Sequence, residues 1–518
     1  MADMIINKMA KHKSSKELYW GVALSYITTF VSLGVSLLLT PIIIRLLGQS
    51  DYGLYETIGS FVNYLSVLDL GFGAVVTRYT AKYQQMGDVD SRDKFLYTCR
   101  NIYGALCVLV IIIGLILYSY IDKAFVNSFT EVELNRAKIL YIIVLATTSL
   151  SIFSQIYKGI LNGVQLFIWP RVIQLIKTVL GKIVSILILY LGATSVGFTA
   201  VILIFEIFAT ILLMYKAHKV VSFRRNRMPK KQLLEVFTFT GYLFILAIVS
   251  QVYWQIDKFV LGMFMGTISV AIYSAALNIE NIIRNVSSSI KDVLIPKAIQ
   301  ISEKDIFSSS LTTDFMVKSS RIVFMVYGLL LVGITVLGEK FIYLWLGEDY
   351  VESYPLLLIL GYAALLPCLL ISGEELCKSF NKHGPLTIIY LLVSVFNIIF
   401  TVLLVKQFGL VGAAISTAIG LMIGNVIISL FYYKRVLNLH IMAYFRQTIF
   451  PILFIFIVVY IIGFLIDTYL FQGYSWINLL IEALIMCCIF FILMHYWGFS
   501  DYEKNIENRI IASIIKNK

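Results

Sequence analysis

The chain has 518 residues, of which 59% are hydrophobic and 14% charged, with a mean hydropathy of +0.86. A soluble globular chain carries about a quarter charged residues, so soluble enzymes and soluble binding modules are excluded. The net charge of +12 sits mainly in the gaps between apolar runs, which is a membrane-topology pattern and not a nucleic-acid surface.

A helix needs about 20 apolar residues to cross a bilayer. Fourteen runs qualify: 19–46, 53–79, 96–121, 137–161, 170–191, 194–216, 237–261, 269–294, 315–337, 354–377, 385–406, 410–433, 447–468 and 475–497. These spans leave no room for a soluble domain. The expected fold is an all-α integral membrane protein with 14 transmembrane helices.

In chain order, residues 1–18 read as a basic cytoplasmic tail. Spans 1 to 6 make an N-lobe over 19–216. Span 1 carries a mild polar stripe of Ser25, Thr29, Ser32, Ser36 and Thr40. Span 2 carries Glu56, Ser60 and Asn63, then Leu-Asp69-Leu-Gly71-Phe-Gly73 with Arg78 beyond. Asp69 reads as shaping the inner end of that span or as part of a polar cavity. In span 5, Gln174, Lys177, Thr178, Gly181 and Ser185 share a face, with Lys182 at its edge. A lysine at the middle of a span costs a few kcal/mol unless paired, hydrated or snorkelling. Two readings stand: the lysines hold an anionic substrate group, or they snorkel or pair with an acid such as Glu206.

A basic linker over 217–236 follows, in a cluster of Lys216, Lys219, Arg224, Arg225, Arg227, Lys230 and Lys231 around Pro229. It reads as a topology anchor beside anionic lipid. Spans 7 to 12 make a C-lobe over 237–433. Span 7 holds Gln251, Trp254, Gln255, Asp257 and Lys258. Trp254 stacks on a sugar face or packs as an ordinary interior tryptophan. In span 8, Ser274, Asn278, Asn281, Asn285, Ser288 and Asp292 recur at helical spacing, with Glu280, Arg284, Ser287 and Lys291 as the adjoining row. Ile279, Ile282, Ile283, Val286, Ile290 and Val293 take the opposite side. One wet face at bilayer depth must look into protein or a water-filled space. Spans 1, 2, 7 and 8 are therefore expected to surround a central cavity. Glu280 and Arg284 are in the favourable i, i+4 order for a pair, so Arg284 either binds an anion or is a structural partner of Glu280.

Spans 13 and 14, over 434–499, have no counterpart in the first lobe. Residues 500–518 carry Ile506, Ile510, Ile511, Ile514 and Ile515 among charges and read as a cytoplasmic interfacial helix. His495 and Glu482 read as structural.

The halves repeat. Gly48-Gln-Ser-Asp-Tyr-Gly-Leu-Tyr55 aligns with Gly266-Thr-Ile-Ser-Val-Ala-Ile-Tyr273, and 266 − 48 = 218. The same offset maps Asn63 onto Asn281 and Tyr215-Lys216 onto Tyr433-Lys434. Two six-helix lobes of one orientation, related by an axis along the membrane normal with a V-shaped cavity between them, are a transporter's organisation.

Of the 42 Lys and Arg residues, 30 fall in the tails, in even-numbered gaps or at the span ends beside them, 6 in or beside odd-numbered gaps, and 6 deeper within spans. This bias predicts two cytoplasmic termini. Trp20, Trp169, Trp345, Trp476 and Trp497 lie at span ends, as an aromatic belt requires. The six cysteines lack metal or redox spacing. With no Walker motif or other catalytic signature, the chain has no ATPase site of its own and is not expected to be an enzyme.

Further motifs carry a resemblance. Pro41-Ile-Ile-Ile-Arg45-Leu-Leu-Gly48 with Tyr52-Gly-Leu-Tyr55, then Leu68-Asp69-Leu-Gly71-Phe-Gly73, then Asp257-Lys258-Phe-Val-Leu261-Gly262 with Tyr273-Ser-Ala-Ala, and Gly409-Leu-Val-Gly412-Ala-Ala resemble the polysaccharide (Wzx-type) flippases. That family belongs to the multidrug/oligosaccharidyl-lipid/polysaccharide exporter superfamily. The resemblance implies movement of undecaprenyl-pyrophosphate-linked oligosaccharide from the inner to the outer leaflet of the bacterial cytoplasmic membrane, by rocking of two lobes. It also implies cavity cations at Lys177, Lys182 and Arg284 and an acid on span 7 at Asp257. Lys258 and Lys291 are further cation candidates. Asn63, Asn278, Asn281, Asn285, Gln251, Gln255 and Glu280 are polar lining candidates. No cofactor or metal is expected; a coupling ion would be H+ or Na+. The expected partners are lipid, the lipid-linked glycan and the polymerase or glycosyltransferases of the same route, with the chain itself monomeric. The competing reading is a cation-coupled multidrug exporter, but span 1 lacks the Asp or Glu that such proteins commonly place there. A glycan polymerase or ligase would need a larger extracytoplasmic loop.

Overall fold

The computed structural model describes residues 2–69, 71–223, 248–249, 251, 253–303, 309–380, 382–505 and 507–508, with side chains described from Leu24 onward except those of 25–26, 288–297, 299, 302–303 and 309. Several expectations lie outside the described residues. They are the linker cations from Arg224 to Lys231, the first part of span 7, the side chains of Ser288, Lys291 and Asp292, and most of the isoleucine-rich tail.

Every regular element among the described residues is helical. The principal helices of the first half are α1 (Ala2–Asn63), α2 (Phe72–Met86), α3 (Val89–Tyr118), α4 (Glu131–Gly163), α5 (Ile168–Tyr190) and α6 (Ser195–His218). Then come α7 (253–265), α8 (Thr267–Glu303), α9 (Ser309–Leu346), α10 (Ser353–Leu369), α11 (Gly384–Gly420), α12 (Ile441–Thr448), α13 (Phe450–Tyr469) and α14 (Trp476–Leu493). Lipid offers no partner to a free peptide group, so an apolar chain of this kind is driven into helices that satisfy their own backbones.

Ten stretches among the described residues are long and apolar enough to cross a membrane. Two of them, Ile27–Met86 and Gly384–Val436, contain a break at Gly48 and Gly409 respectively. Divided there they become twelve, and the wetter α7 and α8 complete the fourteen spans read from the sequence. The chain is a multi-pass membrane protein.

The breaks carry the internal repeat into the backbone. Gly48 has φ 75° and Gly266 has φ 83°, at the offset of 218; Gly192 has φ 88° and Gly409 has φ 58°, and 409 − 192 = 217. These are left-handed conformations that only glycine enters without strain. The turn between spans 1 and 2 thus recurs between spans 7 and 8, and that between spans 5 and 6 recurs between 11 and 12.

Local capping sets the other boundaries. The Asp88 side chain accepts from the Ser91 N–H at 2.9 Å to start α3, and that bond holds its carboxyl below the usual carboxylate range. Thr130 and Glu133 form a reciprocal capping box that starts α4.

Two compact units emerge, Met1–Ala271 and Ile272–Lys518. In the first, Leu54, Ile58, Phe72, Phe95, Tyr103, Phe125, Tyr141 and Ile156 belong to one apolar core. The described part of span 7 belongs to this unit: Phe259 stacks on Phe61 with centroids 5.0 Å apart, and the Ser128 hydroxyl donates to the Gly262 carbonyl at 2.7 Å. Gly53 is where the second arm of α1 meets the start of α8, since a Cβ there would lie 1.8 Å from the Thr267 carbonyl oxygen. Large apolar side chains such as Val108, Ile112, Leu115 and Ile116 remain exposed along α3, a surface suited to acyl chains and unsuited to water.

Candidate functional site

In the first unit two of the lysines within spans, Lys177 and Lys258, are paired with acids across helices. α5 and α6 pack together, which brings Lys177 to Glu206. Lys177 Nζ lies 2.6 Å from Glu206 Oε2, and Glu206 is 3% exposed. One turn further along α5, Lys182 Nζ donates to the Ser36 hydroxyl of α1 at 2.9 Å. Ser36 belongs to the polar stripe expected on span 1. Of the two lysines, Lys177 has the acidic partner anticipated for it, whereas the hydrogen-bond partner of Lys182 is a neutral hydroxyl.

Lys258 on α7 reaches back to α1, its Nζ 2.6 Å from Glu56 Oε2. Gln251 donates to the Ser66 hydroxyl at 3.2 Å, and Ser66 donates to the Asn63 carbonyl at 2.6 Å. Asp257 is buried and Trp254 and Gln255 are half-buried. Six of the sequence candidates in this unit therefore gather where α7 meets the second arm of α1: Asn63, Gln251, Trp254, Gln255, Asp257 and Lys258, with Glu56 as an added partner. Further toward one end of that arm, Arg136 pairs with Asp51 at 2.8 Å, and the second Asp51 oxygen accepts the Ser195 N–H at 3.3 Å.

Asp69 stands apart, after the 3-10 turn Tyr64–Asp69 that follows α1. It borders a cavity of about 500 Å3 between α2 and α4, lined also by Gly71, Gly73, Thr77, Gln155, Lys158 and Asn162. Lys158 was not among the sequence candidates, because it lies close to the end of an apolar run and reads there as a topology charge. It interacts electrostatically with Asp69, Glu206 and Lys177. Its signal was present in the spacing of Gln155, Lys158 and Asn162, which share one face of α4.

In the second unit, α8 carries the polar candidates. Glu280 is fully buried, and Arg284 Nε lies 3.4 Å from its Oε1. Arg284 also donates through Nη2 to the Asn281 side chain. Neither carboxylate oxygen of Glu280 has a hydrogen bond among the described residues, so the pair is held by charge more than by geometry. The asparagine row opens along the helix: Ser274 is buried, Asn278 and Asn281 are half-buried and Asn285 is exposed. Ser287 of the adjoining row is buried, donating to the Ile283 carbonyl at 3.1 Å.

Other charges in this unit are structural in their contacts. Lys340 bridges Asp467 at 2.5 Å and Glu482 at 3.8 Å, joining α9, α13 and α14. His495 lies 3.0 Å from Glu507. Among the described residues no group of His, Cys, Asp and Glu is arranged to hold a metal ion.

The arrangement can bind anions and hydroxyl-rich groups within the membrane, since it sets ammonium, guanidinium, amide and hydroxyl donors at bilayer depth, where unpartnered polar groups are costly.

Comparison with known proteins bears on this chemistry. A family model described as "Polysaccharide biosynthesis protein" matches residues 19–303. The putative O-antigen transporter of Shigella flexneri is 21% identical over 400 residues, 75% of this chain and 91% of that protein. Among solved structures, the lipid II flippase MurJ in an inward closed conformation is similar with a TM-score of 0.73 at 17% identity, over 92% of this chain and 99% of that one. An inward-facing MATE-family multidrug resistance transporter of the MOP superfamily is similar with a TM-score of 0.60 at 17% identity, over 79% and 98%. The two structures establish a shared fold.

Proposed function

This chain belongs to the polysaccharide biosynthesis protein family, and from that premise we propose that it is a flippase for lipid-linked oligosaccharide. It moves undecaprenyl-pyrophosphate-linked repeat units from the inner to the outer leaflet of a bacterial cytoplasmic membrane, with both termini cytoplasmic. The observation that carries the reading is the family match over residues 19–303. The relation to an O-antigen transporter along 91% of that protein's length supports it.

The physical problem of such a substrate fits the residues. Its lipid stays in the bilayer, while its glycan and pyrophosphate must cross without bare contact with hydrocarbon. Asn, Gln and Ser side chains on α8, α7 and α1 exchange hydrogen bonds with sugar hydroxyls in place of water. Lys182, Lys177 and Arg284 engage phosphate oxygens, Arg284 through a planar fork. At Lys177 the phosphate exchanges with Glu206, so the lysine is charge-matched both loaded and empty. Alternating access of the two lobes completes the cycle, and the chain acts as a transporter and not as an enzyme.

A multidrug exporter of the same superfamily is the second reading. The absence of Asp and Glu from residues 19–46 weighs against it, because proton-coupled exporters of that kind commonly carry a titratable acid there.

The experiment is complementation. In cells lacking their own repeat-unit flippase but making the lipid-linked glycan, expression should restore surface polysaccharide and clear the precursor from the inner leaflet. Efflux of cationic dyes with no effect on the precursor would overturn the proposal in favour of the second reading.

A further inference from the structure

The cavity between α2 and α4 has features that the phosphate-binding cations do not account for. One wall is made by Asp69, Gly71, Gly73, Ala74 and Thr77, the other by the α4 face bearing Gln155, Lys158 and Asn162. The two helices are held close by glycines. A Cβ on Gly159 would lie 2.9 Å from the Gly73 carbonyl oxygen, and one on Gly163 would lie 2.9 Å from the Thr77 carbonyl oxygen. This small-residue seam is how membrane helices pack backbone to backbone. The seam makes a rigid floor, and the polar side chains sit around the hollow beside it.

Within the hollow, Asp69 Oδ1 is buried without a hydrogen bond of full geometry among the described residues, and the Tyr103 hydroxyl, likewise without one, interacts with that carboxylate. A buried acceptor left unmatched costs about 1–3 kcal/mol, so the site is preset for a donor. Lys158 supplies a cation that interacts with Asp69, and Gln155 and Asn162 supply two amides, each both donor and acceptor. The Thr77 hydroxyl donates to the Gly73 carbonyl at 3.0 Å and serves the helix.

We propose that this cavity is a carbohydrate subsite, in which Asp69, Lys158, Gln155 and Asn162 hold one sugar ring of the transported glycan. The proposal rests on the flippase reading for the identity of the glycan, and on the cavity alone for the chemistry. A carboxylate oxygen accepts from sugar hydroxyls, an ammonium donates to hydroxyl and ring oxygens, and an amide does both. The volume of about 500 Å3 falls in the range of roughly 300–1,000 Å3 typical of small-molecule pockets.

Charge selects among occupants. Asp69 and Lys158 sum to zero, and the next groups in contact electrostatically, Glu206 and Lys177, also sum to zero. A pyrophosphate would meet an acceptor-only carboxylate and find no net attraction. An acyl chain would strand the carboxylate and ammonium. A neutral polyol matches every group. The first unit thereby divides its work: the cations of α5 take the phosphates, and the hollow beside α4 reads the sugar.

Gly73 gives a clean perturbation. It lines the cavity, and a Cβ built there meets nothing closer than 3.8 Å, at Gln155 and Tyr103. Gly73→Ala should therefore fold as the wild type while reducing the space for a ring. Asp69→Asn changes the donor and acceptor set at constant size, and Lys158→Gln replaces the ammonium by a somewhat shorter neutral amide.

The test is saturation-transfer NMR on the full-length protein in lipid nanodiscs, with glucose, galactose, N-acetylglucosamine and glucuronate as probes and inorganic pyrophosphate as the contrast. At least one sugar should bind the wild type in the millimolar range, and Gly73→Ala, Asp69→Asn and Lys158→Gln should each weaken it tenfold or more with the Gly73→Ala melting temperature unchanged. No sugar bound to the wild type, binding of pyrophosphate alone, or sugar binding unaltered by Gly73→Ala and by either polar variant that folds would overturn the subsite. The complementation assay separates the two claims. Sugar binding at this cavity in a chain that fails to restore export leaves the subsite and removes the flippase reading. Restored export with no sugar bound here does the reverse.

Discussion

Lys177 Nζ and Glu206 Oε2 stand 2.6 Å apart, joining α5 to α6 across a membrane-buried interface of the first unit. Removing one partner of a buried pair is far more damaging than removing both, because the survivor is left as an uncompensated charge. Glu206→Gln should therefore lower stability by about 3 kcal/mol, seen as a drop in the melting temperature of detergent-solubilised protein. The double variant Lys177→Met with Glu206→Leu should regain most of it. Glycan export separates structure from function. If Lys177 touches the pyrophosphate, the refolded double variant exports at less than a tenth of the wild-type rate. Wild-type export in the double variant would make the pair purely structural.

Arg321 anchors the C-terminal segment in the second unit. Its Nε and Nη2 contact the two Glu503 oxygens at 2.7 and 2.8 Å, and it also donates to the carbonyls of Gln447 at 2.8 Å and Gly498 at 2.6 Å. Glu503→Ala should release the segment after Ser500 to limited proteolysis and lower the melting temperature. Arg321→Lys should do the same, because an ammonium is a point donor and cannot make four directed bonds in one plane. Full protection of the segment in Arg321→Lys would refute this account.

What could be read from the sequence divides along one physical line. Features that depend on neighbours in the chain were legible: the fourteen apolar runs, the i, i+4 order of Glu280 and Arg284, and the paired glycines Gly48 and Gly266. Hydrophobic length and backbone freedom act locally, so composition and spacing report them. Features that depend on which helix stands beside which were not. Lys258 finds Glu56 across 202 residues and Lys177 finds Glu206 across 29. The repeat even placed Glu56 opposite Ser274 at the 218 offset, which hides its role as a counter-ion. Lys158 was missed for the same reason, since nothing local says that the end of span 4 faces Asp69.

Close backbone approach gives a stability prediction with an internal control. Gly53→Ala would drive a methyl into the Thr267 carbonyl, 1.8 Å from the Cβ position, whereas Gly59, two turns along the same arm of α1, has nothing within 4 Å. Gly53→Ala should cost at least the 1–3 kcal/mol of an overpacked interior, or prevent folding. Gly59→Ala should be neutral or stabilise by up to about 1 kcal/mol, the helix-propensity difference between the two residues. Thermal unfolding of the pair in parallel checks both, and equal melting temperatures would show that α1 does not approach Thr267 as described.

Arg284 raises the sharpest question about the second unit, because its partner is so deeply placed. Glu280 is fully buried with neither oxygen hydrogen-bonded among the described residues, and the guanidinium 3.4 Å away is what offsets its charge. Arg284→Ala alone will conflate lost phosphate contact with a stranded carboxylate, so a loss of export in that variant decides nothing. Glu280→Gln keeps the shape and frees the guanidinium from its counter-ion. It should leave expression intact and strengthen capture of an anionic headgroup, lowering the concentration of lipid-linked substrate needed for half-maximal export. Glu280→Gln with Arg284→Gln should fold, since no charge is left unmatched, yet accumulate lipid-linked oligosaccharide on the inner leaflet. Measured side by side, undiminished export in the double variant would assign Arg284 to structure and move the phosphate contacts to the cations of α5.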